Sequence, residues 1–142
     1  MSSQPPRRPR PAVNRDIAFW FEGASAGELR IQQCADCGAL RHPPSPMCPR
    51  CNARNRTWIV ASGTGEIYSY VVHHQPAVVG MPSPFVVVVV ELAEGPRVVG
   101  NLLDGPDASF SIGDAVELVF AADPGDDLVL PHWRLATTVD AR

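Results

Sequence analysis

Cys34-Ala-Asp-Cys37-Gly-Ala-Leu-Arg-His-Pro-Pro-Ser-Pro-Met-Cys48-Pro-Arg-Cys51 holds all four cysteines of the chain. They form two Cys-x-x-Cys pairs with ten residues between Cys37 and Cys48. A two-residue gap lets both thiolates of a pair face one point, and two such pairs surround it as a tetrahedron. Four sulfurs leave no vacant coordination position, so a zinc ion held by Cys34, Cys37, Cys48 and Cys51 would be structural rather than catalytic. Gly38 follows the second ligand and Pro49 lies inside the second pair, and both suit tight knuckle turns. Three other chemistries compete. Two disulfides would suit a secreted chain, but no hydrophobic signal segment precedes the cluster. A thioredoxin-like redox pair wants a βαβ setting that the sequence lacks. Iron takes the same ligand set and stays open as an alternative.

Around this cluster, 142 residues suffice for one ordinary domain, or for a small metal module plus a compact barrel. Fifteen prolines and eleven glycines favour turns and short strands over long helices. No apolar run is long enough to span a bilayer, and the expectation is a cytoplasmic protein with no membrane segment. Charge is divided. Residues 1–56 carry nine arginines against four acids, a net of +5, while residues 57–142 carry three arginines against eleven acids, a net of −8. Arg30, Arg41, Arg50, Arg54 and Arg56 flank the cysteines, where they could offset the charge of a tetrathiolate site or meet a phosphate.

Upstream, residues 1–13 are rich in proline and arginine and read as a disordered tail or linker. Residues 14–29 read as a docking helix of about three turns, with Asn14 and Asp16 as capping candidates. Ile17, Trp20, Phe21 and Ala24 form its apolar face. That face docks on its own domain or on a partner protein. Residues 30–56 make the ribbon, with His42 facing solvent. From Thr57 the pattern is strand after strand, with candidates at 57–61, 64–74, 84–93, 97–103, 115–121 and 127–136 and turn signals between them. Phe85-Val-Val-Val-Val-Val90 lacks alternation and reads as a central strand covered on both faces. The fold class is therefore mainly β: a short N-terminal helix, a rubredoxin-like zinc ribbon, then a five- to six-stranded barrel over 57–136 and a tail at 137–142. Strand number and size fit an OB-fold best, although periodicity alone equally permits an SH3-like barrel.

Phe19-Trp20, the ribbon Cys-x-x-Cys-Gly…Cys-Pro-x-Cys, Gly63-Thr-Gly-Glu-Ile-Tyr-Ser-Tyr-Val-Val-His73, Val99-Gly-Asn-Leu102 and Ile112-Gly-Asp-Ala-Val-Glu-Leu-Val-Phe120 follow one another in a specific order. Over residues 14–136 this series closely resembles the zinc-ribbon-plus-OB-fold proteins long described as an acyl-CoA-associated domain of unknown function. The resemblance implies a companion subunit of a thiolase-superfamily enzyme, for instance a retro-aldolase that shortens steroid side chains. It also implies a structural Zn2+, a hetero-oligomer with acyl-CoA near the interface, and a fused or associated hydratase-like domain. The leader lies outside the family pattern.

The residues themselves offer no catalytic set. All cysteines are committed to metal, and neither a Gly-x-Ser-x-Gly elbow nor a Gly-rich phosphate loop is visible. Candidate partner or substrate contacts are Phe19, Trp20, Arg41, His73, His74 and Arg134. Alternation puts His73 and His74 on opposite faces of their strand. Trp133 is a candidate to close the barrel. A stand-alone module binding acyl-CoA or nucleic acid is the alternative function, but the acidic barrel half repels a phosphate backbone.

Overall fold

The computed structural model describes residues 6–123 and 125–136. These contain one helix and eight strands: α1 (Ala18–Ser25), β1 (Arg30–Cys34), β2 (Leu40–Arg41), β3 (Arg56–Val60), β4 (Thr64–His73), β5 (Phe85–Leu92), β6 (Arg97–Asn101), β7 (Ala115–Ala122) and β8 (Val129–Leu135). Residues 1–5 of the expected leader and the expected tail at 137–142 lie outside the described residues. No helix among the described residues is long and apolar enough to cross a membrane.

Helix α1 is shorter than the three turns expected. Gly27, in the left-handed region at φ 76°, ends it. The Gly27 N–H donates to Ala24 O (3.1 Å) and the Glu28 N–H to Gly23 O (2.8 Å), the paired bonds of a glycine-terminated helix. At the other end Asn14 Oδ1 accepts from the Asp16 and Ile17 N–H groups, at 2.9 and 3.2 Å. Asp16 does not cap; it pairs with Arg56 at 2.8 Å, joining the start of the helix to the ribbon.

A three-stranded sheet, ordered β2-β1-β3, carries the cysteine cluster. The strand expected to open the barrel belongs here instead, because β3 pairs with β1 along its whole length, from Arg30–Val60 to Cys34–Arg56. With β2 covering only Gln32 and Gln33 on the far side, β1 depends on β3 for most of its ladder.

The remaining strands form a five-stranded antiparallel sheet in the order β6-β5-β4-β7-β8 that curls until its ends meet. A parallel bridge joins Leu102 to Trp133, and the Leu103 N–H donates to Trp133 O at 2.8 Å. Gly100 permits this approach: a Cβ there would lie 2.9 Å from Trp133 Cδ1 and 3.0 Å from Nε1. A register shift between Ile67 and Ser69 on β4 adds the bend a small barrel needs.

Ile67, Val86, Val88, Val90, Leu92, Val98, Val116 and Trp133 fill the barrel. The valine run is not covered equally on both faces. Val86, Val88 and Val90 are buried, whereas Val87 and Val89 are only half-buried on the outside. Pleating imposes an alternation that an all-valine sequence cannot display. Leu29, Ile31 and Ala61 belong to the same buried cluster, and Trp20, Leu40 and Ile59 pack against it. Ribbon and barrel therefore share one continuous core.

Candidate metal centre and contact surfaces

The two cysteine pairs sit on matching turns. The Cys34 N–H donates to Ala39 O and the Gly38 N–H to Cys34 O, at 2.9 and 3.0 Å. Fourteen residues on, the Cys48 N–H donates to Ala53 O and the Asn52 N–H to Cys48 O, at 2.9 and 2.8 Å. Gly38 and Asn52 occupy equivalent left-handed positions, with φ 78° and 62°, and these are the residue types that tolerate them best. The four Sγ atoms all lie within 4.8 Å of one another. Cys34 and Cys51 are 3.6 Å apart at sulfur, and Cys37 and Cys48 3.7 Å. A tetrahedron with metal–sulfur bonds of about 2.3 Å has edges of about 3.8 Å, which these two separations match. No disulfide joins them.

Local electrostatics favour ligation. The Cys34 thiol is lowered to about 6, chiefly by the backbone N–H of Cys37, which lies 3.5 Å from its sulfur. Cys48 is lowered in the same way by the Cys51 N–H. Cys51 goes the other way. The Ala53 amide lowers it, but the crowding sulfurs, Cys34 first, outweigh that and push it up to about 12. Four sulfurs this close cannot all ionise without a cation among them. The arrangement is that of a structural Zn2+ site, in which Cys34, Cys37, Cys48 and Cys51 would hold the ion and leave it no open position.

The contact candidates separate into inward and outward groups. Trp20 turns inward onto the shared core, edge-on to Phe21 at 4.9 Å and 6.3 Å from the His42 ring. Its cover corrects the expectation for His42, which is half-buried, with Nδ1 unpartnered and its pKa lowered by burial. Phe19 stacks on Trp58 at 5.6 Å, and the Arg30 guanidinium, held by Glu28 at 2.8 Å, lies 4.8 Å from the same indole. Trp58 is 43% exposed, so this is an open aromatic–cation face. The sequence reading overlooked Trp58, although its alternation with Ile59 was a signal. The helix thus docks on its own domain through Trp20 and leaves Phe19 beside an exposed partner.

At the other end of the molecule His73 Nε2 donates to Pro76 O at 2.7 Å, and its ring stacks on Phe85 at 4.7 Å. His74, beyond the strand end, is exposed. Beside them the loop at 77–84 and residues 101–106 wall a mostly apolar cleft of about 830 Å³. Arg8 crosses one side of it, gripping Asp123 with two bonds of 2.7 and 3.2 Å, and Arg10 pairs with Asp126 and Asp127. Asp126 is held below the usual carboxylate range by the Leu128 N–H and by Arg10. Arg134 is solvated, 3.4 Å from Glu117. Trp133 is fully buried and closes the barrel, as expected.

Comparison with known proteins gives this architecture a family. Residues 21–55 match the family described as the ChsH2 rubredoxin-like zinc ribbon domain, and residues 58–121 the ChsH2 C-terminal OB-fold domain. The chain is 46% identical to a chain of the solved Ltp2-ChsH2(DUF35) aldolase, with a TM-score of 0.84, covering 90% of this chain and all of that one. The chain belongs to the ChsH2/DUF35 family. Among its ChsH2/DUF35 relatives is the probable enoyl-CoA hydratase alpha subunit of Thermomonospora curvata, 48% identical over 130 residues, 91% of this chain and 40% of that protein. The 3-oxo-4,17-pregnadiene-20-carboxyl-CoA hydratase alpha subunit of Mycobacterium tuberculosis is 42% identical, over 89% of this chain and 38% of its own length. This chain thus spans about two fifths of those subunits. A DUF35 domain-containing scaffold protein of Methanocaldococcus jannaschii is 35% identical, over 70% of this chain and 74% of its own. The barrel is accordingly an OB-fold, and the SH3-like alternative is set aside.

Proposed function

We propose that this DUF35 module is the non-catalytic companion of a thiolase-fold aldolase that cleaves a carbon–carbon bond in the side chain of a steroid- or lipid-derived acyl-CoA thioester. The likeness that carries the proposal is to the DUF35 chain of an aldolase, matched over its entire length. The names of the hydratase alpha subunits support a setting in CoA-thioester metabolism, one of them on a steroid skeleton, and the scaffold name supports a structural role.

On this basis zinc stiffens the ribbon, and the face made by Phe19, Trp58 and Arg30 meets the enzyme. The cleft beside His73 and His74 turns towards the acyl group, and a hydratase-like domain, fused or associated, stands next in line. Bond cleavage uses the enzyme's groups. Nucleic acid is disfavoured by the −8 balance of residues 57–142.

Purification of the zinc-loaded chain from its host tests this directly. The expected result is a stoichiometric thiolase-fold polypeptide and thioester cleavage by the complex alone. Trp58→Ala should weaken the complex roughly 30-fold, as for an interfacial aromatic anchor. Cleavage by the isolated chain, or its recovery with no such enzyme bound, overturns the assignment.

A further inference from the structure

Strand β3 is the last strand on its side of the ribbon sheet, so its outer edge is open. The Ala61 N–H donates to Leu29 O at 2.8 Å and the Ala35 N–H to Asn55 O at 3.0 Å, and these two bonds bracket the β1–β3 ladder. Bonded and non-bonded positions alternate along an antiparallel pair. Thr57 and Ile59 therefore turn their N–H and C=O groups towards β1, while Arg56, Trp58 and Val60 turn theirs away. Among the described residues, these three N–H and three C=O groups bond to no other protein group.

Water serves such groups in an isolated chain, and an open edge by itself marks no site. Soluble proteins usually guard an edge with proline, lysine, a bulge, a very short strand or a covering loop. None of these protects β3. Its five residues, Arg-Thr-Trp-Ile-Val, include no proline or lysine, keep unbroken register with β1 and favour extended backbone. Its one charge, Arg56, is already engaged by Asp16 at 2.8 Å. Trp58 and Val60 share a face and stand 43% and 51% exposed, with no loop over them.

The occupant that suits this edge is an extended polypeptide, whose own N–H and C=O groups recur at the same two-residue spacing. Its side chains should be apolar where they meet Trp58 and Val60. An acidic residue suits the other end, because Arg54, beside the start of β3, is exposed and in none of the ion pairs among the described residues. A second copy fits less well, since pairing about Trp58 would bring together two halves of net charge +5.

We infer that the enzyme partner adds a strand to the open edge of β3, with an acidic residue near Arg54 and apolar side chains over Trp58 and Val60. This rests on the aldolase reading and says how the two polypeptides join: through main-chain hydrogen bonds as well as through the aromatic face.

Val60→Pro tests the inference in the co-purified, zinc-loaded complex, with Val60→Ala as its control. Proline removes the outward N–H of residue 60 and spares the bonds that Thr57, Ile59 and Ala61 make to β1. Equal zinc content and equal exchange protection of the Ile59 amide establish that both variants keep the ribbon. The expected result is a complex about tenfold weaker in Val60→Pro than in Val60→Ala. In the parent, the Trp58 and Val60 amides should exchange freely in the isolated chain and slowly in the complex. A complex that forms with these amides still fast, or that binds both variants equally, overturns strand addition and leaves the aldolase reading standing. Failure of any thiolase-fold enzyme to bind the parent chain removes both. A dimer of the isolated chain in sedimentation, dissolved by Val60→Pro, gives the edge to a second copy and also overturns the inference.

Discussion

Between Cys34 and Cys51 the only buried residues are Cys34 and Cys48, whereas between Thr64 and Leu135 the chain buries a full set of valines around Trp133. The first region is too poor in apolar contacts to hold its own shape and relies on four sulfurs about one metal. The second relies on area removed from water. The difference matters because the two regions are not sealed from each other: Ile31 of the ribbon strand β1, with Leu29 and Ala61 beside the ribbon strands, lies in the barrel's core. A metal-dependent half is therefore mounted on a metal-independent one.

Removing zinc is the harshest way to break that contrast. Structural zinc contributes about 10–16 kcal/mol of apparent binding energy in small metal-folded domains. Chelation, or Cys37→Ser, should therefore abolish hydrogen-exchange protection across residues 34–55 while β5 and β6 stay protected. Ribbon amides that remain slow after chelation would show that sulfur–metal bonding is not what holds this half. Trp133→Ala should strike the opposite region, at about 3–5 kcal/mol of unfolding free energy, because a fully buried indole leaves a large cavity at the barrel seam. Its zinc affinity should match the parent, measured by competition with a chromophoric chelator.

The smallest effect concerns acid. Burial lowers the pKa of His42, and burial followed by Arg8 lowers that of His132, so each takes up its proton less readily folded than unfolded. As pH falls below the ordinary histidine value of about 6.5, the unfolded chain binds protons first and stability declines, until the depressed folded values are passed. His132→Gln should flatten that slope in thermal unfolding of the barrel. If the slope is the same in the variant, His132 is not its source.

What the sequence discloses here is mostly what is local. The cysteine spacing and the glycines and prolines between strands read correctly because each depends on neighbours a few positions away. Three features escaped for the same reason. Strand β3 looked like any barrel strand, since nothing in Thr57-Trp58-Ile59-Val60 says that its partner lies nearly thirty residues upstream in β1. The valine run could not reveal which side is outside, because both sides are valine. Gln32 carries no signal in the sequence, and only the fold puts a glutamine with no exposed area beside Arg41. The contact face had the same difficulty: Phe19 and Trp20 were visible as a pair, but which one points inward depends on His42 and on Trp58.

Ala61, Ser62 and Gly63 are all that separates β3 from β4. The Ala61 N–H is bonded to Leu29 O and Gly63 O to the Leu118 N–H, both at 2.8 Å. Scissors placed at this joint would strip β1 of its long neighbour and open a wet hole under the barrel. Anyone transplanting the metal-bearing piece into another scaffold will have to carry the barrel with it.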